Sequence, residues 1–212
     1  MLALLCIPQV LEPLRMTPKS ALAALLLLPS FSYAATVLAT PPELNNKSYV
    51  LMDYETGQIL ASKNENEKLA PASMTKMMTS FIIEQKLLKG ELTEDEQVRM
   101  NESAWCRGSS TESCMYVPLN GTATVLEMLR GIIVQSGNDA SKAMAEHIAG
   151  NEGTFVHMMN EEAKRIGMSN TQFMNSTGMP AEGHFSTAKD MATLAQHIIH
   201  DSSKYYPNYS EK

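Results

Sequence analysis

Apolar residues recur at helical spacing in five stretches: 73–89, 124–135, 139–149, 153–166 and Thr187–His200. Each is long enough for a packed helix, and the spacing predicts one in each place. The first is the most apolar, running from Met74 to Leu88 and ending at Lys89-Gly90, the residue types that stop a helix. Ahead of them, Ser48–Asp53 and Gln58–Lys63 alternate in the period of two that a strand requires. Glu55-Thr-Gly57 between them supplies the turn, so a β-hairpin is predicted. A hairpin followed by five helices is an α+β pattern.

One apolar run fits neither period. Ala21–Leu28 is preceded by Arg15 and Lys19 and followed by Pro29 and Ser32-Tyr-Ala34. A basic flank, a short apolar core and small residues near a cleavage point predict a secretory signal peptide over 1–34, cut after Ala34. The run is too short to favour a membrane span. Met16 is a reasonable start for such a leader. Residues 35–212 then form one domain by length.

Composition narrows the partners. The 212 residues carry a formal charge of −6, which argues against nucleic acid. Hydrophobic residues make up 44 % of the chain, enough for a real core, and the sixteen methionines fall mostly within helical patterns, as core filling does. Cys6 lies in the leader, leaving Cys106 and Cys114 in the loop between Trp105 and Tyr116. In an exported chain a disulfide is the default for such a pair, with two free thiols as the alternative. No metal-ligand spacing accompanies them, so neither a metal nor another cofactor is expected. His147, His157, His197 and His200 fall in helical patterns; His184, in a loop, is the histidine expected near a cleft.

The candidate chemistry lies in two short motifs. Ser73-Met-Thr-Lys76 opens the most apolar helix, and residues three apart share a helix face, so the Lys76 amine can reach the Ser73 hydroxyl. A serine needs an adjacent base before it is an effective nucleophile, and a lysine serves only when neutral. The helix N-terminus would also favour a developing oxyanion. Ser136-Gly-Asn138 follows sixty-three residues after Ser73, between two predicted helices. Each motif also has a plainer reading: an N-cap serine with a solvated lysine, and an ordinary turn in which Asn138 or Asp139 caps the next helix. Ser186-Thr-Ala-Lys189 repeats the first spacing, but no Ser-x-Asn follows it.

In order and in flanking sequence the two motifs resemble the D-alanyl-D-alanine carboxypeptidases, the low-molecular-mass penicillin-binding proteins. The resemblance runs from about Pro41 onward and is carried by VLMDYETGQILASKNENEKLAPASMTKMMTSFI (Val50–Ile82), LRGIIVQSGNDASKAMAEHIAG (Leu129–Gly150) and STAKDMATLAQHII (Ser186–Ile199). It implies Ser73 as the acylated nucleophile, Lys76 as its general base, Ser136 as a proton relay and Asn138 as a holder of the substrate backbone. It implies removal of the last D-Ala from peptidoglycan pentapeptide stems through an acyl-enzyme, inhibition by β-lactams, and a place in the bacterial periplasm. In that family the Cys106–Cys114 region lies over the active-site entrance.

The resemblance also implies a Lys-Thr-Gly strand on the far wall of the cleft, and the 212 residues contain no such triplet. Arg165-Ile-Gly167 sits at the end of a helical pattern and is no substitute. The expectation is therefore a partial β-lactamase/DD-peptidase-like transpeptidase fold. Its helical part would be largely present, with much of the antiparallel sheet, the later β-domain and the membrane anchor outside the chain. Two other readings accompany the carboxypeptidase: a truncated, inactive remnant, and a class A-like β-lactamase. No Glu-x-x-Leu-Asn segment supports the latter.

Overall fold

The computed structural model describes residues 41, 43–108 and 111–211. The leader expected over 1–34 lies outside the described residues. In order come β1 (Tyr49–Met52), β2 (Ile59–Lys63), a turn of 3-10 helix (Ala72–Met74), α1 (Thr75–Leu88), β3 (Gln97–Arg99), β4 (Thr122–Thr124), α2 (Val125–Gln135), α3 (Asn138–Ala149), α4 (Glu152–Arg165), α5 (Ala188–Asp201) and a 3-10 segment (Tyr206–Ser210). The strands form two antiparallel pairs, β1 with β2 and β3 with β4. This is the expected α+β arrangement, with a small share of sheet.

The β1–β2 hairpin turns where the sequence places it. The Asp53 carboxylate accepts from the Thr56 amide and hydroxyl, which holds the turn. The β3–β4 pair was not anticipated, because three residues per strand leave no measurable alternation.

Helix α1 is the axis of the domain. One core cluster packs Ile83 and Leu87 of α1 against Val125, Met128, Leu129 and Met144. A second packs Met78, Phe81 and Ile82 against Phe155, Met159 and Leu194. A helix buried on opposite faces reads as apolar nearly all round, as Met74–Leu88 does. The consequence for function is mechanical: a side chain on the first turn of α1 is anchored by both halves of the core.

The helix starts follow their local chemistry. Thr124 and Glu127 form a reciprocal capping box at the head of α2. Asn151 caps α4 by accepting from Thr154, and Thr187 caps α5 by accepting from Asp190. At α3 the capping expectation fails. The N-cap is Gly137, Asn138 is already the first helical residue, and Asp139 accepts from the Met115 and Tyr116 amides as well as from Ala140 beside it. The two outside amides tie the loop after Cys114 to α3 through charge-assisted hydrogen bonds.

Among the described residues no helix is long and apolar enough to cross a membrane.

Candidate active site

Ser73 lies on the 3-10 turn just before α1, which begins two residues later than the helical pattern suggested, and its side chain is exposed. Ala72 before it has a φ of +49°, unusual for a residue with a Cβ. Gly178 explains how this conformation is held. A Cβ on Gly178, itself at φ +84°, would fall on the Ala72 carbonyl. Only glycine permits the loop around Gly178 to close on the turn that presents Ser73.

Lys76 is buried, at 4 % exposure. Its Nζ donates to the Thr177 carbonyl at 2.7 Å and lies 3.4 Å from Ser73 Oγ. The second contact is long for a hydrogen bond. Burial pulls the amine down to about 8; the Glu112 carboxylate works against that and the Lys142 ammonium with it. Near neutral pH a useful fraction of Lys76 is therefore unprotonated and able to accept a proton.

The loop bearing Thr177 is built from its own side chains. Asn175 Oδ1 accepts from the Thr177 and Gly178 amides, and Glu152 accepts from the Ser176 amide and hydroxyl. Thr79 of α1 donates to the Ser176 carbonyl at 2.7 Å. His184, 8 % exposed, closes the loop. Its Nδ1 faces the Met174 amide, which can only donate, so the proton belongs on Nε2, which reaches Thr75 Oγ1 at 2.9 Å. Burial lowers its pKa, keeping the ring neutral. His184 thus lines the cleft as the sequence suggested, as a strut and not as a base.

Ser136 ends α2 in the left-handed conformation, at φ +56°. The reversal at Gly137 points the two members of its motif to different hollows. Asn138 shares a cleft of about 400 Å³ with Ser73, Glu112, Ser113, Thr177 and His184. Ser136 shares a hollow of about 320 Å³ with Ser73, Lys76, Ser80 and Tyr209. Ser73 belongs to both. Asn138 is held from outside the motif: its amide N–H donates to the Ser113 carbonyl at 2.8 Å, and its Nδ2 donates to Glu112 at 3.1 Å.

Cys106 and Cys114 are joined by a disulfide, with Cα atoms 6.4 Å apart. It anchors the wall carrying Glu112 and Ser113. Glu112, Thr177 and Gly178 were not singled out from sequence; two act through backbone or backbone freedom, which no side-chain motif reports. The second Ser-x-x-Lys tetrad separates cleanly. Ser186 is 2 % exposed, bridges to Leu69 and bonds Thr171, while Lys189 is exposed. Among the described residues no cluster of His, Cys, Asp or Glu could hold a metal ion.

Comparisons with known proteins bear on the fold and the family of the chain. The family model for D-alanyl-D-alanine carboxypeptidase matches residues 35–212. The D-alanyl-D-alanine carboxypeptidase DacA of Haemophilus influenzae is 41 % identical over 201 residues, covering 93 % of this chain and 51 % of its own. DacF of Bacillus subtilis is 48 % identical over 153 residues, covering 72 % and 39 %. The crystal structure of penicillin binding protein 5 from Haemophilus influenzae superposes with a TM-score of 0.80 at 42 % identity, over 82 % of this chain and 51 % of that one. The chain spans about half the length of the relatives it matches. It belongs to the D-alanyl-D-alanine carboxypeptidase family.

Proposed function

We propose that this domain carries the acylation half of a serine D-Ala-D-Ala carboxypeptidase site. Ser73 Oγ attacks the carbonyl between the two terminal D-alanines, and its proton passes to Lys76 Nζ. The C–N bond breaks, the last D-Ala leaves as the amine with a proton returned through Lys76 or Ser136, and water hydrolyses the ester. Asn138 holds the peptide backbone of the acyl donor in the larger cleft. Ser136 acts from the smaller hollow, on the Lys76 side of Ser73. A β-lactam enters by the same attack and remains as an ester on Ser73.

The observation that carries this reading is the amine of Lys76. It is buried, drawn to about 8, anchored on the Thr177 carbonyl and aimed at an exposed serine hydroxyl. A solvated lysine beside a capping serine would have none of these properties. A general base of this kind contributes on the order of 10²–10⁴-fold.

The same proposal places the protein outside the cytoplasmic membrane, with residues 1–34 acting as a cleaved leader, and takes peptidoglycan stem peptides as substrate. Intact-mass measurement after incubation with benzylpenicillin, alongside Ser73→Ala, tests it. A stable adduct that disappears in Ser73→Ala supports it. No adduct from the folded protein overturns it, and rapid turnover of the penicillin would point to a β-lactamase.

A further inference from the structure

The larger cleft is lined mostly by small and apolar groups: Ala70, Pro71, Ala72, Met179, Pro180 and Ala181. Among the described residues that line it, Glu112 alone carries a formal charge at neutral pH, because His184 is kept neutral by burial. Glu112 is no stray surface acid. Its Oε2 accepts from Asn138 Nδ2 at 3.1 Å, the wall that carries it ends in the Cys106–Cys114 bond, and the neighbouring Ser113 is bonded to the Asn138 amide. Lys142 Nζ stands 4.0 Å from the same carboxylate but does not line the cleft, so it offsets the charge without covering it.

We propose that Glu112 sets the charge preference of the site, favouring acyl donors with an ammonium beside the amide that Asn138 holds and disfavouring those with a carboxylate there. This selectivity rests on the acylation at Ser73 proposed above. An Asn138 side chain that grips the acyl-side amide brings the neighbouring substituent of the ligand to the carboxylate that grips Asn138. In a low-dielectric cleft, a charge that Lys142 offsets only in part acts on both binding and encounter at that range.

Three penicillins with the same phenylacetyl frame isolate the effect: ampicillin with an α-ammonium, benzylpenicillin with none, and carbenicillin with an α-carboxylate. The measurement is the second-order rate of adduct formation at Ser73 for each, by intact mass, at low and high salt. Ampicillin should react about three- to fivefold faster than benzylpenicillin and carbenicillin slower by a similar factor, both gaps narrowing in salt. In Glu112→Gln the three rates should converge. Any change that substitution makes to the basicity of Lys76 acts on all three alike and cancels in the ratios. Lys142→Met should widen the gaps, since it removes the offsetting charge.

Equal rates for the three in the unsubstituted protein, or ratios unchanged in Glu112→Gln, overturn the proposal while leaving acylation at Ser73 standing. No adduct with any of the three overturns both.

Discussion

The Lys76 ammonium nitrogen lies 2.7 Å from the Thr177 carbonyl oxygen, a partner 101 residues further along the chain. The bond fixes the amine at the position from which it reaches Ser73. It also makes the loop around Thr177, itself closed by Asn175, Glu152 and His184, part of the support of that amine.

Acylation should depend on pH through Lys76. With the amine near 8, the neutral fraction falls tenfold for each pH unit below it. Adduct formation with benzylpenicillin at pH 6 should be roughly 100-fold slower than its plateau above pH 9. Lys76→Arg, which stays charged, should lose on the order of 10²–10³-fold at every pH. A flat profile for the unsubstituted protein would remove Lys76 as the base.

Glu84 should make stability fall as pH rises. Its side chain is fully buried in α1, with Oε1 accepting from the Tyr209 hydroxyl at 3.0 Å and Oε2 without a partner among the described residues. Burial pushes it up to about 7, against contrary help from Ser202 and Tyr209. The folded state thus holds this proton more tightly than the unfolded one. Its contribution is complete below about pH 4.5, is lost between there and about 7, and is constant beyond. The swing is about 3 kcal/mol. Urea unfolding from pH 5 to 8 should show the decline, and Glu84→Gln should flatten it.

Gly178→Ala should damage the site more than its one methyl suggests. The new Cβ meets the Ala72 carbonyl, and the residue is held at φ +84°. Neither strain has a cheap release, so a loss of about 2–3 kcal/mol is expected, from denaturant midpoints. Slower acylation at Ser73 should accompany it even where the protein remains folded.

The Cys106–Cys114 bond closes a short loop, eight residues from one cysteine to the other. Cys106→Ser with Cys114→Ser should cost about 2–3 kcal/mol by the loop-closure account. The same variant should weaken the hold of Glu112 on Asn138, so the ampicillin-to-benzylpenicillin ratio should shrink together with stability. A ratio unchanged in a destabilised protein would show that the wall keeps its place without the bond.

All five helices and the first hairpin were legible in the chain, to within one or two residues at each end. Periodicity and capping chemistry are local, and local physics acts on neighbours in sequence. The β3–β4 pair was not legible, because three-residue strands exist only through their partner. The Ser73–Lys76 relation was likewise readable, since residues three apart meet on one turn of helix. Ser186–Lys189 repeats the spacing, and its sequence context already set it apart; burial of Ser186 against Leu69 and Thr171 adds a reason that belongs to the tertiary structure. The depressed basicity of Lys76, the Thr177 carbonyl that anchors it, the split of Ser136 and Asn138 between two hollows and the charge of Glu112 at the cleft were decided there as well. Each depends on dielectric, on backbone atoms or on segments tens of residues apart, and none of these is written in the spacing of side-chain types.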